Sequence, residues 1–420
     1  TLFALIGVTT IGAIWGSTIA YAGLLKVVGI SALPWILGAA AVLSIVGAAV
    51  YSAFAPVLSN GRLMVAIYVI GIVGLLLGLV LLHQGSLLAY PVLYLLYVAW
   101  LPVYNPHLVT FITGFTDSQA AKRVVPVVLA GMRVGLIVAG LTMVVLNRWL
   151  SPEGIIVIWL LSYVASIGLV LAAPHFAANN PEVARTARSG ARVGYVASLR
   201  EGADYTRQSR YLRWVMAAGF VLLMLLALIE YRSSQLLLGV FPTQADLSSY
   251  LGLLGALGNL VALPLLLFGL SRIIARFGLG ATSLIYPVIN LVTAGWLFAV
   301  PGAASASAAY LDRSAFRAAF QFPVEGLLFN AVPLGMRARA RALSVGLVGP
   351  MGAFGGSLLL LLPLAAQSEW FVGGLVLVLS VVYLAISLVV RREYSDAVVR
   401  MLREEDYSSM LHQDASPVMV

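Results

Sequence analysis

What most constrains this chain is a succession of apolar runs, each about 20 residues long, separated by short gaps that hold most of its charge. A helix of that length spans the hydrocarbon core of a bilayer and satisfies its own backbone polar groups there. With 61% hydrophobic and 10% charged residues among 420, and a mean hydropathy of +1.00, a soluble domain is excluded. The pattern predicts an all-α polytopic membrane protein of about twelve transmembrane helices. Their expected limits are Leu2 to Lys26, Leu33 to Ala55, Leu63 to Leu82, Leu87 to Phe115, Val124 to Asn147 and Gly154 to Ala173, then Trp214 to Val240, Leu247 to Gly269, Thr282 to Val300, Ala304 to Val332, Ala342 to Leu362 and Trp370 to Val390.

Cationic residues gather in alternate gaps, at Arg62, at Lys122 and Arg123, from Arg185 through Arg213, at Arg272 and Arg276, at Arg337, Arg339 and Arg341, and at Arg391 and Arg392. The formal net charge of +9 is therefore a positive-inside signal, which predicts both termini on the cytoplasmic side of a cytoplasmic or inner membrane. The loop from His175 to Arg210 is polar but lacks interleaved base-stacking aromatics, so it predicts a solvated tether beside anionic lipid and no nucleic-acid partner. The chain opens at Thr1 inside an apolar run, which predicts a trimmed chain without a signal peptide.

That loop divides the chain into an N-terminal half (1–174), a central cytoplasmic loop (175–211), a C-terminal half (212–391) and an amphipathic cytoplasmic tail (392–420). Sliding the second half back by roughly 218 residues superposes AKRVVPVVLAGMRVG on RARALSVGLVGPMGAFGG, with Arg123 on Arg341 and Gly131 on Gly349. Two parallel halves of six helices, joined by a cytoplasmic loop, are the organisation of the major facilitator fold. In it a substrate site lies near the midplane between the halves, and one half rocks against the other.

The run from Ala308 to Asn330, AAYLDRSAFRAAFQFPVEGLLFN, breaks the apolar rule. Arg313, Arg317, Gln321 and Glu325 recur every fourth residue with Asp312 beside the first, so on an α-helix they form one slowly drifting polar stripe. Ionisable groups inside a membrane face a bundle interior or an aqueous cavity, and Pro323 is expected to interrupt this helix below the arginines. A substrate pathway and a buried structural ion pair both explain the stripe, and intramembrane charge favours the pathway. Further intramembrane charges are Arg133 in the fifth span and Glu230 with Arg232 in the seventh. Their sum is slightly cationic, and guanidinium forks suit phosphate or carboxylate, so an anionic solute is expected.

Asp312 with Arg313, and Glu230 with Arg232, do not face each other along a helix and would take partners from other helices. Arg133, with no acid near it in sequence, is the better ligand candidate. At the equivalent place in the first half, Tyr94, Leu95 and Ala99 stand opposite Asp312, Arg313 and Arg317, and no charge is present. Tyr97, Trp100, Tyr104, Asn105 and His107 form instead an aromatic wall that stacks a planar ring or simply packs; Tyr97 and Asn105 join the candidate binding residues. Gly352 and Gly355 in the eleventh span read as close helix packing or a flexible gate. Absent cysteine, four scattered histidines and no GxxxxGK[ST], HExxH or GxSxG pattern predict no metal, no cofactor and no enzymatic centre.

Two stretches, LIEYRSSQLLLGVFPTQADLSSYLGLLGALGNL from Leu228 and FTDSQAAKRVVPVVLAGMRVG from Phe115, resemble the ATP:ADP antiporter family of nucleotide transporters, a branch of the major facilitator architecture. The resemblance implies that Glu230 matches an acidic residue important for transport, and that Lys122 and Arg123 match a basic pair at the junction of helices 4 and 5. Ala120 stands where the family has an acid, and Gly352, Ala353, Phe354, Gly355 and Gly356 stand where it has a lysine-containing motif. No basic residue occurs from Ile11 to Tyr21, where the family's first helix carries one. The resemblance thus implies a different anion, or a nucleotide held differently. The tail from Arg391 resembles the start of a helical-repeat and cyclic-nucleotide-binding region found in some bacterial relatives, which would place a regulatory domain beyond the chain.

These readings predict a secondary carrier presenting Arg133, Arg313 and Arg317 to an anionic, nucleotide-like solute, with Glu230 and Glu325 as gating or coupling partners and Lys122 and Arg123 at a junction. The alternatives are a proton-coupled exporter of hydrophobic or cationic compounds, and a membrane sensor with a carrier fold that no longer transports.

Overall fold

The computed structural model describes residues 2–55, 57–115, 118–177 and 195–413; the side chains of 118–129, 174–177, 402 and 404–413, with those of 195, 366 and 369, lie outside that description. The described regular elements are all helices. In order these are α1 (Leu2–Val28), α2 (Ile30–Phe54), α3 (Asn60–His83), α4 (Ala89–Thr113), α5 (Ser118–Trp149) and α6 (Pro152–Ala177). A connecting helix, Tyr195–Gln208, leads to α7 (Arg210–Leu238), α8 (Gln244–Thr282), α9 (Ile285–Ala299), α10 (303–328), α11 (Leu334–Leu360) and α12 (Glu369–Gln413). Among the described residues ten helices are long and apolar enough to cross a membrane. The expected ninth and tenth spans fall short of that measure, because α9 has only 15 residues and α10 carries the charged stripe. The helix expected to end near Val390 runs on to Gln413.

The packing scheme of the first six helices recurs in the last six. In one half α1 packs on α4, α5 and α6, and in the other α7 packs on α10, α11 and α12. Likewise α3 touches α4 and α6 where α9 touches α10 and α12. The halves meet through α5 on α8 and α2 on α11, contacts that the same exchange of halves interconverts. Glycine makes these crossings close: a Cβ on Gly140 of α5 would run into the Gly252 carbonyl of α8. Small residues let backbones approach where lipid supplies no hydrophobic drive for association. Gly352 and Gly356 do the same inside the second half, leaving no room for a Cβ beside the α7 backbone at Phe220 and Met224.

Wide π-type turns interrupt several helices, and the longest, Asp312–Gln321, lies in α10. Pro323 explains its position, since proline donates no N–H and its ring clashes with the carbonyl of the preceding turn. The chain absorbs this by widening upstream of Pro323, so α10 stays helical where a break was expected.

Candidate functional site

The halves leave between them a cavity of about 410 Å³. From the first half, α1 contributes Thr9, Thr10, Ser17, Thr18 and Tyr21, α4 contributes Tyr94, Tyr97, Trp100, Tyr104 and Asn105, and α5 contributes Arg133. From the second, α8 contributes Gly252, Gly255 and Asn259, and α10 contributes Tyr310, Arg313, Ser314 and Phe322. Each wall thus carries one amide and one guanidinium, and the first is the richer in aromatic rings and hydroxyls. Trp100 stacks on Tyr104 with ring centroids 4.1 Å apart and on Tyr163 at 4.9 Å, which fixes the aromatic wall before any solute arrives.

Hydrogen bonds between the halves run from the cavity toward the end of the bundle where α1 finishes and α8 begins. Tyr21 meets Ser234 at 2.5 Å, the Lys26 ammonium donates to the Leu238 carbonyl at 3.0 Å, and Tyr90 donates to Gln244 at 3.2 Å. Gln244 in turn donates to the Ile19 carbonyl at 3.1 Å, and Asn147 donates to Ser248 and Ser249 at 2.8 Å. That end is tied shut, while Thr9, Asn105 and Phe322 carry the cavity toward the opposite one.

The two arginines that line the cavity differ in their company. Arg313 donates to Glu230 Oε2 at 2.8 Å, and the other carboxylate oxygen accepts from the Tyr94 hydroxyl at 2.9 Å. With side-chain exposures of 21% and 10%, this pair is largely desolvated, so each charge depends on the other. Arg133 donates to Asn259 Oδ1 at 2.8 Å, and Asn259 is oriented by its own bond to the Gly255 carbonyl at 2.8 Å. Among the described residues no carboxylate lies within ion-pair distance of Arg133.

The polar stripe of α10 does not stay on one face. Tyr310, Ser314, Ala318 and Phe322 line the cavity, and Arg313 sits beside them. Asp312 turns into the interior of the second half, fully buried, where Asn290 donates to its Oδ2 at 2.7 Å and Ser380 donates to Asn290 at 3.0 Å. Gln321 accepts from Tyr383 at 3.0 Å and Glu325 accepts from Ser344 at 3.5 Å; both line a separate void of about 30 Å³ inside that half. Arg317 lies with its guanidinium 4.6 Å from the Phe322 ring centroid. Arg232 is buried on α7 and donates to Gln235 at 2.7 Å.

Of the residues singled out in the sequence, the cavity therefore brings together Arg133, Arg313, Tyr97 and Asn105, with Glu230 one bond behind. It does not include Asp312, Arg317, Gln321, Glu325 or Arg232. Gly352 and Gly355 face α7 rather than the cavity, and the side chains of Lys122 and Arg123 lie outside the described residues. Sequence reasoning missed Asn259, although a lone carboxamide in the apolar run of α8 is itself a signal. It also missed the hydroxyl series Thr9, Thr10, Ser17 and Thr18 on α1.

Residues 78–319 match the family model described as TLC ATP/ADP transporter. No curated protein sequence matches the chain. Among solved structures, the nucleoside transporter NupG is similar over 94% of this chain and 98% of its own, with a TM-score of 0.64 at 13% identity. The inward-open xylose transporter XylE from E. coli is similar over 91% and 94%, with a TM-score of 0.59 at 12% identity. A bacterial homologue of the iron transporter ferroportin in an inward-facing state is similar over 93% and 98%, with a TM-score of 0.57 at 17% identity. At these identities the likeness establishes the transporter fold and not the solute.

Proposed function

We propose, from the premise that the chain belongs to the TLC ATP/ADP transporter family, that it is a secondary carrier moving a small anionic, nucleotide-like solute by alternating access. Its place as a multi-pass integral membrane transporter, rather than an enzyme, follows from the family and from the ten membrane-length helices. The observation that carries the anionic reading is Arg133: a guanidinium lining a cavity between two halves, held by one neutral amide and by no described carboxylate. A buried cation of that kind gains most from an anion that can accept from its free N–H groups.

The same bond supplies a mechanism. Arg133 belongs to α5 and Asn259 to α8, so an anion that takes up the guanidinium competes with a hydrogen bond across the halves. At the closed end, Lys26, Tyr90, Gln244 and Asn147 form the ties that must part for the cavity to open there. The neutral ties are worth about 1 kcal/mol each and the Lys26 tie about 1.5–3 kcal/mol, small enough for rocking of the halves to exchange. The distribution of arginines supports a cytoplasmic side at the termini, with membrane lipid as the remaining partner.

Exchange of radiolabelled adenine nucleotides in proteoliposomes tests this reading. Wild-type protein should exchange at least one of AMP, ADP and ATP, and Arg133→Ala should lose about tenfold or more of that flux, the worth of a charge-assisted hydrogen bond. Equal flux in the variant, or none in either, would remove the reading.

A further inference from the structure

We infer that the cavity selects solutes with a single net negative charge beside a planar ring, and that Glu230 sets this limit by neutralising Arg313; the inference rests on the carrier reading above. Among the described residues, Arg133 and Arg313 are the only cationic side chains that line the cavity, and no carboxylate lines it. Glu230 stands behind Arg313, with both carboxylate oxygens engaged, one by Arg313 at 2.8 Å and the other by Tyr94 at 2.9 Å. The pair contributes no net charge, and Glu230 is held away from the solute. Among the described residues, what remains for an anion is the one charge of Arg133.

The rest of the lining donates hydrogen bonds without charge, through Ser17, Tyr97, Asn105 and their neighbours. Neutral donors orient a phosphate but do not balance a second or third negative charge once water has been displaced, and an uncompensated buried charge is strongly disfavoured. A nucleoside diphosphate or triphosphate thus brings more charge than this cavity balances. A phosphodiester such as a cyclic nucleotide brings one. Tyr97, which lines the cavity, is only partly buried and meets Trp159 edge-on with ring centroids 6.2 Å apart; it offers an aromatic surface for the ring.

The test is equilibrium binding of adenosine, cyclic AMP, AMP, ADP and ATP to the purified full-length chain in detergent at fixed salt. Cyclic AMP should bind most tightly, with ADP and ATP weaker by about tenfold or more. Arg133→Gln removes the remaining charge and should move the optimum to adenosine. Glu230→Gln leaves Arg313 unneutralised and should move it to AMP, whose phosphate carries close to two charges at neutral pH. Where Glu230→Gln fails to fold, Arg133→Gln decides alone, because the same charge count requires its shift. Tightest binding of ADP or ATP to the wild type, or an optimum unmoved in a folded variant, would overturn the charge limit while leaving the carrier reading in place. Silence of the whole series with folded wild-type protein would overturn the nucleotide-like reading, and this inference with it.

Discussion

The two halves share a packing scheme and differ in what they bury. Inside the first, Thr9 bonds to Tyr68 and to Ser166 at 2.7 Å, Tyr68 donates to Tyr104 at 3.3 Å, and the Trp100 indole donates to the Ile67 carbonyl at 3.1 Å. All of these groups are neutral. Inside the second, at positions that the repeat equates with Tyr94 and Ala99, stand Asp312 and Arg317, with Gln321 and Glu325 farther along the same helix. The difference teaches that helix crossings constrain backbones and small residues, while the polar content of each half is free to diverge. It also separates charge from binding: the second half holds most of the buried charges, but Arg313 is its one cationic side chain, among the described residues, that lines the cavity. The candidate anion ligand, Arg133, comes from the half whose internal network is neutral.

The comparison can be broken at three points. The largest effect is expected at Arg313→Ala, which takes the charged partner from the Glu230 carboxylate and should cost about 3–5 kcal/mol in unfolding free energy, whereas Arg313→Met combined with Glu230→Leu should recover most of that loss. If the single and double variants unfold alike, the pair is not a coupled unit. Next comes Tyr68→Phe in the first half, which removes the Tyr68 hydroxyl from Tyr104 and one of two partners from Thr9, and should lower stability by about 1 kcal/mol in denaturant titration. A silent Tyr68→Phe would show that this network only fills space. The smallest is Asp312→Asn: its Oδ1 has no donor among the described residues, and asparagine keeps an acceptor for Asn290, so the change should fall within about 0.5 kcal/mol or stabilise. A loss as large as that of Arg313→Ala would mean that the charge of Asp312 is in use.

Much of the architecture was legible because membrane helices announce themselves by length and apolarity. The twofold division was legible too, through the polar stretch after His175 and the Arg123 to Arg341 offset. Arg133 was legible as a site candidate because a lone guanidinium in an apolar run, with no acid near it in sequence, must find its partner on another helix or in a solute. The fate of the α10 stripe was not. Spacing by four makes a stripe that drifts around the helix, and the spacing does not say which part of it meets the cavity: Arg313 does, while Gln321 and Glu325 line the void inside the second half. Nor could local sequence pair Arg313 with Glu230, which stands 83 residues away on α7. Such pairs are set by which helices become neighbours, and the repeat locates neighbours only after the packing scheme is known.

The central claim is that the anion is held at the interface by Arg133 and not inside the second half. Equilibrium binding of AMP to wild type, Arg133→Ala and Arg317→Ala tests it in one titration series. The account predicts that Arg133→Ala loses about tenfold or more in affinity while Arg317→Ala binds as wild type. Affinity lost in Arg317→Ala and retained in Arg133→Ala would contradict it.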